Sequence, residues 1–480
     1  MKRLLLVFFL AVFPTRAQQE SAPQQGNEEE EIARRSAAAG YYGAPDLKLR
    51  QERNYANTPT DVEPYRGVKP YKENFLQQVE YTGAGRGLPE PEDLKSVKIG
   101  FIGPIQSTVS VATGGKSHEE ILGVQMLQGS QLAIEQANAH GGYLKRGIPF
   151  ELVVSNDNGL WGSSGNEIIK LAYKENVWAI LGTIDGANSH IMLRVALKAE
   201  ILLMNTGDTD PTYVETNIPW TVRCIGDDRQ QGYLLMDYLV RKMGYHRIGI
   251  IRASNRYGRF GVREIRDSAR RLGYPVLIEM AYKLGSEDFS LQLERLQEAR
   301  LDAVVHWGDA RESALILNQM RERGMNQPYF TSDRTVSEEF VALAGKNAEG
   351  VMAGYPWNPD RQDPKLEDFR AAFRQRFHQE PGTYAAHAYD GMNMLIAAIQ
   401  AAGLNRARIR DVLAYHSEPW PGVTGDIPLS AVLDDLGEVF LAKFADGHWT
   451  YHSREQLGIP RGFIPKRDRL SRGEETTSLP

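Results

Sequence analysis

The feature that most constrains the fold is a regular alternation of short apolar segments with longer helical ones between residues 97 and 323. The strand-like segments lie at 97–102, 150–154, 178–181, 201–204, 247–251, 276–280 and 303–307. Segments of about 10 to 18 residues with helical periodicity separate them. Such alternation is typical of βαβ units, in which helices cover both faces of a parallel sheet. The chain of 480 residues exceeds one ordinary domain, so the sequence predicts an α/β fold with two doubly wound parallel sheets.

The N-terminus has the pattern of a secretory signal. Lys2 and Arg3 precede an apolar run at 4–13, and Ala17 stands at the expected cleavage point. The run is shorter than the roughly 20 residues that a bilayer requires, although an uncleaved anchor is the alternative interpretation. We therefore predict a signal peptide at 1–17 and a periplasmic or secreted protein that is not membrane-inserted.

Two flanking regions differ from this regular pattern. Residues 18–95 are rich in Gln, Glu, Pro, Tyr and Gly and show almost no apolar periodicity, and residues 456–480 are also polar. Such segments bury too little apolar surface to offset the entropy lost on ordering. We predict an irregular N-terminal arm and an irregular C-terminal tail. The tyrosines of the arm leave open that it wraps onto the folded domain.

Several functional classes are disfavoured by composition and spacing. The formal net charge of −5 argues against nucleic-acid binding. Cys224 is the only cysteine, which excludes an internal disulfide and thiolate zinc sites. The 114–117 segment resembles the end of a P-loop, but Ser110 stands where the first glycine belongs. We expect no cofactor, no metal and no enzymatic activity.

Polar loops follow the predicted strands and indicate where a ligand binds. In open parallel sheets, ligands bind beyond the carboxyl ends of the strands. Here those ends carry small polar residues and glycines at 103–107, 156–158, 182–189 and 205–211. Asn188 or Ser189 begins a helix, whose free N–H groups favour an anion. Each loop alone is an ordinary helix cap, but together they predict a binding cleft.

Ordered motifs along the chain then point to a family. They include the segments at 98–104, 129–133, 138–142, 201–211, 388–391, 422–425, 435–437 and 446–449. Over residues 97 to about 450, the chain resembles a type I periplasmic binding protein of the branched-chain amino acid class, the ligand receptor of an ABC importer.

The resemblance implies two lobes joined by a three-stranded hinge. Lobe 1 would combine residues 96–225 with 355–430, and lobe 2 would combine 226–352 with 432–455. The crossings would lie near 222–228, 351–355 and 430–435. It also implies a non-enzymatic protein that captures a small polar ligand, an amino acid or a related compound, by hinge closure and delivers it to an ABC-type permease.

The resemblance also implies a set of ligand-binding positions. Gly186 falls where the family usually has a serine, Tyr257 matches the aromatic of lobe 2, and Asp333 falls near its acid. The segment with Trp307 and Asp309 replaces one that usually carries a tyrosine. The full predicted set is Gln106, Asp185, Gly186, Asn188, Ser189, Asp208, Thr209, Tyr257, Trp307, Asp309 and Asp333.

These departures put the ligand in question. Loss of the serine weakens the expected carboxylate clamp, while Asp208 and Asp309 add negative charge to the cleft. Because buried unpaired carboxylates are costly, a cation, a polyol or several hydroxyls should satisfy them. Trp307 and Trp161 could stack on a ring or cover a cation, or belong to the core.

Two alternative functions remain open at this stage. The first is a ligand sensor or scaffold that uses the same two lobes while its N-terminal arm contacts a protein partner. The second is an enzyme on an α/β fold, in which carboxylates such as Asp157, Asp185 and Asp208 form an acid–base pair.

Overall fold

The computed structural model describes residues 80–106, 118–216, 218–430 and 432–459. The predicted signal peptide, the arm as far as residue 79, the segment at 114–117 and the tail beyond residue 459 lie outside the described residues.

Fourteen strands and eleven α-helices make up the described part of the chain. The strands are β1 Val97–Gly103, β2 Phe150–Asn156, β3 Ala179–Leu181, β4 Leu202–Asn205, β5 Thr221–Arg223, β6 Ile248–Ala253, β7 Ile278–Tyr282, β8 Ala303–Trp307, β9 Tyr329–Thr331, β10 Met352–Tyr355, β11 Trp420–Pro421, β12 Asp426–Ile427, β13 Phe440–Ala445 and β14 His448–His452. The helices are α1 His118–Ala139, α2 Trp161–Ile169, α3 Gly186–Ala199, α4 Asp228–Asp237, α5 Arg256–Arg271, α6 Ser290–Glu298, α7 Ala310–Glu322, α8 Glu338–Ala344, α9 Pro364–Phe377, α10 Thr383–Ala402 and α11 Arg406–Ala414.

Two sheets with the same winding organise these elements. The first sheet has the order β2-β1-β3-β4-β5 and the second has the order β14-β13-β10-β9-β8-β6-β7. All pairs of the first sheet are parallel, as are those from β10 to β7 in the second. The predicted pair of doubly wound parallel sheets is confirmed. The antiparallel strands β13 and β14 at one edge of the second sheet were not predicted.

Helices cover both faces of each sheet, which explains why the strands are apolar throughout. On the first sheet, which defines lobe 1, α1 and α10 cover one face and α2 and α3 the other. On the second sheet, which defines lobe 2, α4 and α5 cover one face and α6 and α7 the other. The helices α1 and α10 approach so closely that a Cβ at Gly129 would lie 2.1 Å from the Ala385 carbonyl oxygen.

The described end of the N-terminal arm packs against lobe 1. It forms only a short 3₁₀ turn, Ala84–Gly87. The Tyr81 hydroxyl donates to Glu200 at 2.6 Å, and its ring meets the Trp220 ring edge-on at 4.8 Å between centroids. Arg86 forms an ion pair with Asp411 on α11 at 2.5 Å. This end of the arm therefore wraps onto the folded domain, the possibility that its tyrosines left open.

A buried arginine ties together the segments that run between the lobes. Arg223, at the end of β5, contacts Asp434 at 2.7 Å and Asp227, the N-cap of α4, at 3.1 Å, and all three side chains are fully buried. The Arg223 backbone N–H also donates to the Leu433 carbonyl at 2.9 Å. The first and third passages between the lobes are thus joined by one charge cluster. Cys224 beside it is buried, and burial raises the pKa of its thiol.

Among the described residues, no helix is both long enough and apolar enough to cross a membrane.

Replacing Arg223 with methionine should destabilise the protein strongly. Removal of one partner of a buried ion pair leaves carboxylates buried without it, at a cost of about 3–5 kcal/mol. The matched control is Arg376→Met, which breaks an exposed pair with Glu135 and should cost less than about 1 kcal/mol. Urea unfolding of both variants measures the difference, and equal losses would contradict this account.

Candidate functional site

The site lies where the carboxyl ends of the two sheets face each other. Contacts that cross between the lobes there include Arg256 to Asp210 at 2.7 Å, Arg334 to the Ile184 carbonyl at 3.3 Å, and Tyr384 to Asp333 at 2.7 Å. Both sheets have their switch point nearby, since β1 neighbours β3 in one and β6 neighbours β8 in the other. This is the place where doubly wound sheets bind ligands.

Asp333 is the anchor of lobe 2. It follows β9, and its two carboxylate oxygens accept hydrogen bonds from the Tyr257 and Tyr384 hydroxyls, each at 2.7 Å. The Arg334 guanidinium lies 3.8 Å from the centre of the Tyr257 ring and pairs with Asp309 at 3.2 Å. Tyr257 and Asp333 therefore meet as a unit, while Asp309 is balanced by an arginine that sequence reasoning missed.

The loop after β4 presents Asp208 to the junction. Asn205 accepts hydrogen bonds from the backbone N–H groups of Gly207 and Asp208, which folds the loop tightly. Asp208 Oδ1 accepts from the Asp210 N–H at 2.9 Å, whereas Oδ2 is buried and has no hydrogen-bond partner in the described part of the chain. Burial, and then the charge of Asp210, raise the pKa of Asp208 from 3.8 to about 7.

Asp228 is a second buried carboxylate, which the sequence analysis did not select. The helix α4 is already capped by Asp227 and Gln230, so Asp228 is not required as its N-cap. Among the described residues, neither Asp228 oxygen has a hydrogen-bond partner, although the Thr209 hydroxyl lies close enough to favour the ionised form. Burial, and then the charge of Asp333, raise the pKa of Asp228 well above its usual value. In the sequence this residue looks like part of a helix cap.

The polar side chains that follow β3 form hydrogen bonds within lobe 1. Asp185 caps α3 by accepting from the Ala187 N–H at 2.7 Å. Ser189 donates to the Asp185 carbonyl and accepts from Asn205, and Asn188 donates to Asp157. A Cβ at Gly186 would lie 3.0 Å from both Arg256 Nε and Asp210 Oδ2. The start of α3, where an anion was expected, is therefore covered by a side-chain ion pair.

Of the remaining candidate residues, some are exposed to solvent and others are buried. Gln106 is exposed, and its backbone N–H and carbonyl contact the Asn156 side chain. Trp307 is fully buried, with its ring centroid 6.2 Å from that of Tyr257. Trp161 begins α2 and is 63% exposed. Asp157 is buried and accepts from Thr183, Ser164 and Asn188, so its carboxylate is fully used inside lobe 1.

Several buried polar atoms at the junction have no hydrogen-bond partner among the described residues. They are Thr206 Oγ1, Asp208 Oδ2, Thr209 Oγ1, and Asp228 Oδ1 and Oδ2. Because buried polar atoms in proteins are almost always hydrogen-bonded, such a group requires a polar partner. The arrangement is suited to holding a small polar solute.

Replacing Tyr384 with phenylalanine should favour separation of the lobes. The variant loses a hydrogen bond to a carboxylate that joins α10 to lobe 2, worth about 1.5–3 kcal/mol. Small-angle X-ray scattering should show a larger radius of gyration. In the control Tyr389→Phe, the lost bond to Gln136 lies within lobe 1, and the radius should not change. An unchanged radius for both variants would show that this bond does not hold the lobes together.

The stability of the ligand-free protein should fall as pH rises from about 4 to 7. The pKa of Asp208 and that of Asp435 are each raised from 3.8 to about 7, mainly by burial. Over this range the folded state binds more protons than the unfolded chain, so raising the pH disfavours folding. Asp208→Asn should weaken the dependence, as chemical unfolding at several pH values would show. The exposed-acid control Glu298→Gln should keep the wild-type slope, and a slope unaffected by Asp208→Asn would refute the assignment.

Comparison with known proteins identifies relatives over most of the chain. The periplasmic binding protein family matches residues 96–431. Leu/Ile/Val-binding protein homolog 2 of Brucella abortus (strain 2308) is 26% identical over 366 residues, covering 72% of this chain and 96% of that protein. An amino acid binding protein of Pseudomonas aeruginosa is 25% identical over 317 residues, covering 65% and 80%.

Solved structures share the fold. The substrate-binding protein LivJ of Streptococcus pneumoniae, in complex with isoleucine, has a TM-score of 0.67 at 22% identity, covering 75% of this chain and 99% of its own. A solute-binding protein of Rhodopseudomonas palustris, in complex with 3,4-dihydroxybenzoic acid, has a TM-score of 0.65 at 18% identity, covering 75% and 97%. The family consists of ligand binders that are not enzymes. On its sequence match and its fold, this chain belongs to the periplasmic binding protein family.

Proposed function

We propose that the protein is an extracytoplasmic receptor that captures a small polar ligand between its lobes by hinge closure and delivers it to an ABC-type permease. The observation that carries the proposal is the cluster of buried polar atoms without partners at the junction of the two sheets. Residues of both lobes surround this cluster, since Asp208 and Thr209 follow β4 whereas Asp333 and Tyr257 belong to lobe 2.

The same cluster supplies a reason for ligand-driven closure. When the lobes meet, Asp208 and Asp228 are almost completely removed from water, with exposed fractions of 2% and 0%. Burial of polar groups without partners is unfavourable. A ligand that satisfies them binds the closed state better than the open state, and this difference in affinity drives closure.

The relatives support the class of function but not one ligand. LivJ of Streptococcus pneumoniae is described in complex with isoleucine, and the Rhodopseudomonas palustris protein in complex with an aromatic acid. Both are described as components of transporters, which supports delivery to a permease as part of the proposal. The basic residues and apolar run at the N-terminus support export with removal of residues 1–17.

A ligand panel combined with scattering tests the receptor function. Purified protein from residue 18 onward, refolded to remove bound solute, should gain about 2.7 kcal/mol of stability at a ligand concentration of one hundred times Kd. The same compound should reduce the radius of gyration, and Tyr257→Ala should abolish both effects. Glu298→Gln should retain both. If no amino acid, amine, sugar, alcohol or aromatic acid changes either quantity, the receptor function is refuted.

A further inference from the structure

Asp228 lies against the loop that carries Asp208. The Asp228 backbone N–H donates to the carbonyl of Thr209, in that loop, at 2.9 Å. Among the described residues, three oxygens of the two carboxylates have no hydrogen-bond partner and are buried, as are the hydroxyls of Thr206 and Thr209 from the loop after β4. All of these atoms can accept a hydrogen bond.

The nearby arginines pair with other acids. Arg223 contacts Asp227 and Asp434. Arg256 pairs with Asp210, and Arg334 pairs with Asp309. Asp333 accepts two tyrosine hydroxyls. Within the described ranges, Asp208 and Asp228 therefore form no ion pair, and the junction holds more acidic than basic side chains.

The position where a ligand carboxylate was expected is itself acidic. Asp185 caps the start of α3, and Asp210 reaches the same helix end in its pair with Arg256. The N–H of Ala187 is occupied by the Asp185 carboxylate. A second anion at this helix end would meet two carboxylates, so the helix offers little attraction for it.

We infer that the ligand is a small organic cation, an amine or a guanidine, whose charged group is held by Asp208 and Asp228, and that a carboxylate on the ligand adds nothing to its affinity. The inference rests on the proposed solute-binding function. An ammonium group has three donors and no acceptor, which matches a site made of acceptors. A neutral hydroxyl would also donate, but it would not stabilise the ionised carboxylates, which burial disfavours.

Matched compounds separate the contributions of the two charged groups of an amino acid. Isothermal titration calorimetry would compare leucine, isopentylamine, which lacks the carboxylate, and isocaproate, which lacks the amino group. A second set would compare putrescine, agmatine and the neutral butanediol. We expect at least one amine or guanidine to bind, at least as tightly as its amino acid and at least tenfold more tightly than its neutral or acidic counterpart.

Substitution of the carboxylates tests their assigned role. Asp228→Asn and Asp208→Asn keep side-chain size, and each should weaken binding of the amine at least tenfold. Glu298→Gln removes an exposed acid on α6 and should leave the affinity unchanged. Circular dichroism and urea unfolding confirm that each variant is folded. A misfolded Asp228 variant would still leave Asp208→Asn and the compound series as independent tests.

Proton release gives a readout that a purely structural role would not produce. The charged groups that act on Asp208 are Asp210, Arg223 and Asp185, and those that act on Asp228 are Asp333, Asp227 and Asp210. Arg256 and Arg334, in the same junction, pair with Asp210 and Asp309. Cation binding favours ionised carboxylates, so titration at neutral pH in two buffers of different ionisation enthalpy should show protons leaving the protein. For a carboxyl that titrates near neutrality, the affinity should be about tenfold lower at pH 6 than at pH 8.

The outcomes distinguish this inference from the proposed function. Tighter binding of leucine or isocaproate than of every amine, or unchanged affinity in both asparagine variants, would overturn the cation assignment and leave the receptor function intact. If no compound binds, charged or neutral, both the receptor function and the inference are overturned.

Discussion

The shared winding of the two sheets is the constraint on which the rest of the structure depends. In each lobe, five parallel strands run with the first strand next to the third, so the chain turns to opposite sides of the sheet at that point. Parallel strands bring all their carboxyl ends to one edge, and the loops there are the polar segments of the chain. Because the two edges face each other, as the bond from Tyr384 to Asp333 shows, the polar loops of both lobes form one buried junction.

The buried carboxylates of the junction fall into two groups, those paired with an arginine and those without such a partner among the described residues. Arg223, Arg256 and Arg334 each bind a carboxylate and fix the relation of neighbouring segments. Asp208 and Asp228 are equally buried but have no such partner within the described residues. Paired charges hold the architecture, whereas burial of Asp208 and Asp228 without such a partner is unfavourable. Under the proposed function, stability and ligand recognition would be coupled through the loop after β4.

In the segments between the lobes, the side chain of Arg223 joins residues that are distant in sequence. Arg223 joins residue 434 to residue 227, and the backbone N–H of Arg223 pairs with residue 433. The first and third passages between the lobes are thus anchored at one buried point. Burial raises the pKa of Asp435, which lies beside this point, to about 7.

The sequence by itself determined the alternation of strands and helices, the apolar strands and the polar loops at their ends, because these follow from local periodicity and turn chemistry. It also placed Asp208 and Thr209 on such a loop, whereas Tyr257 and Asp333 were indicated by the family resemblance. Only the tertiary structure decided which polar side chains have partners: Asp185, Asn188 and Ser189 are used within lobe 1, Asp309 is balanced by Arg334, and Asp228 emerges as a buried acid although it looks like part of a helix cap. The physical reason is that hydrogen bonding and charge compensation depend on neighbours many residues away. Arg334 reaches the carbonyl of residue 184, and no local pattern encodes that contact.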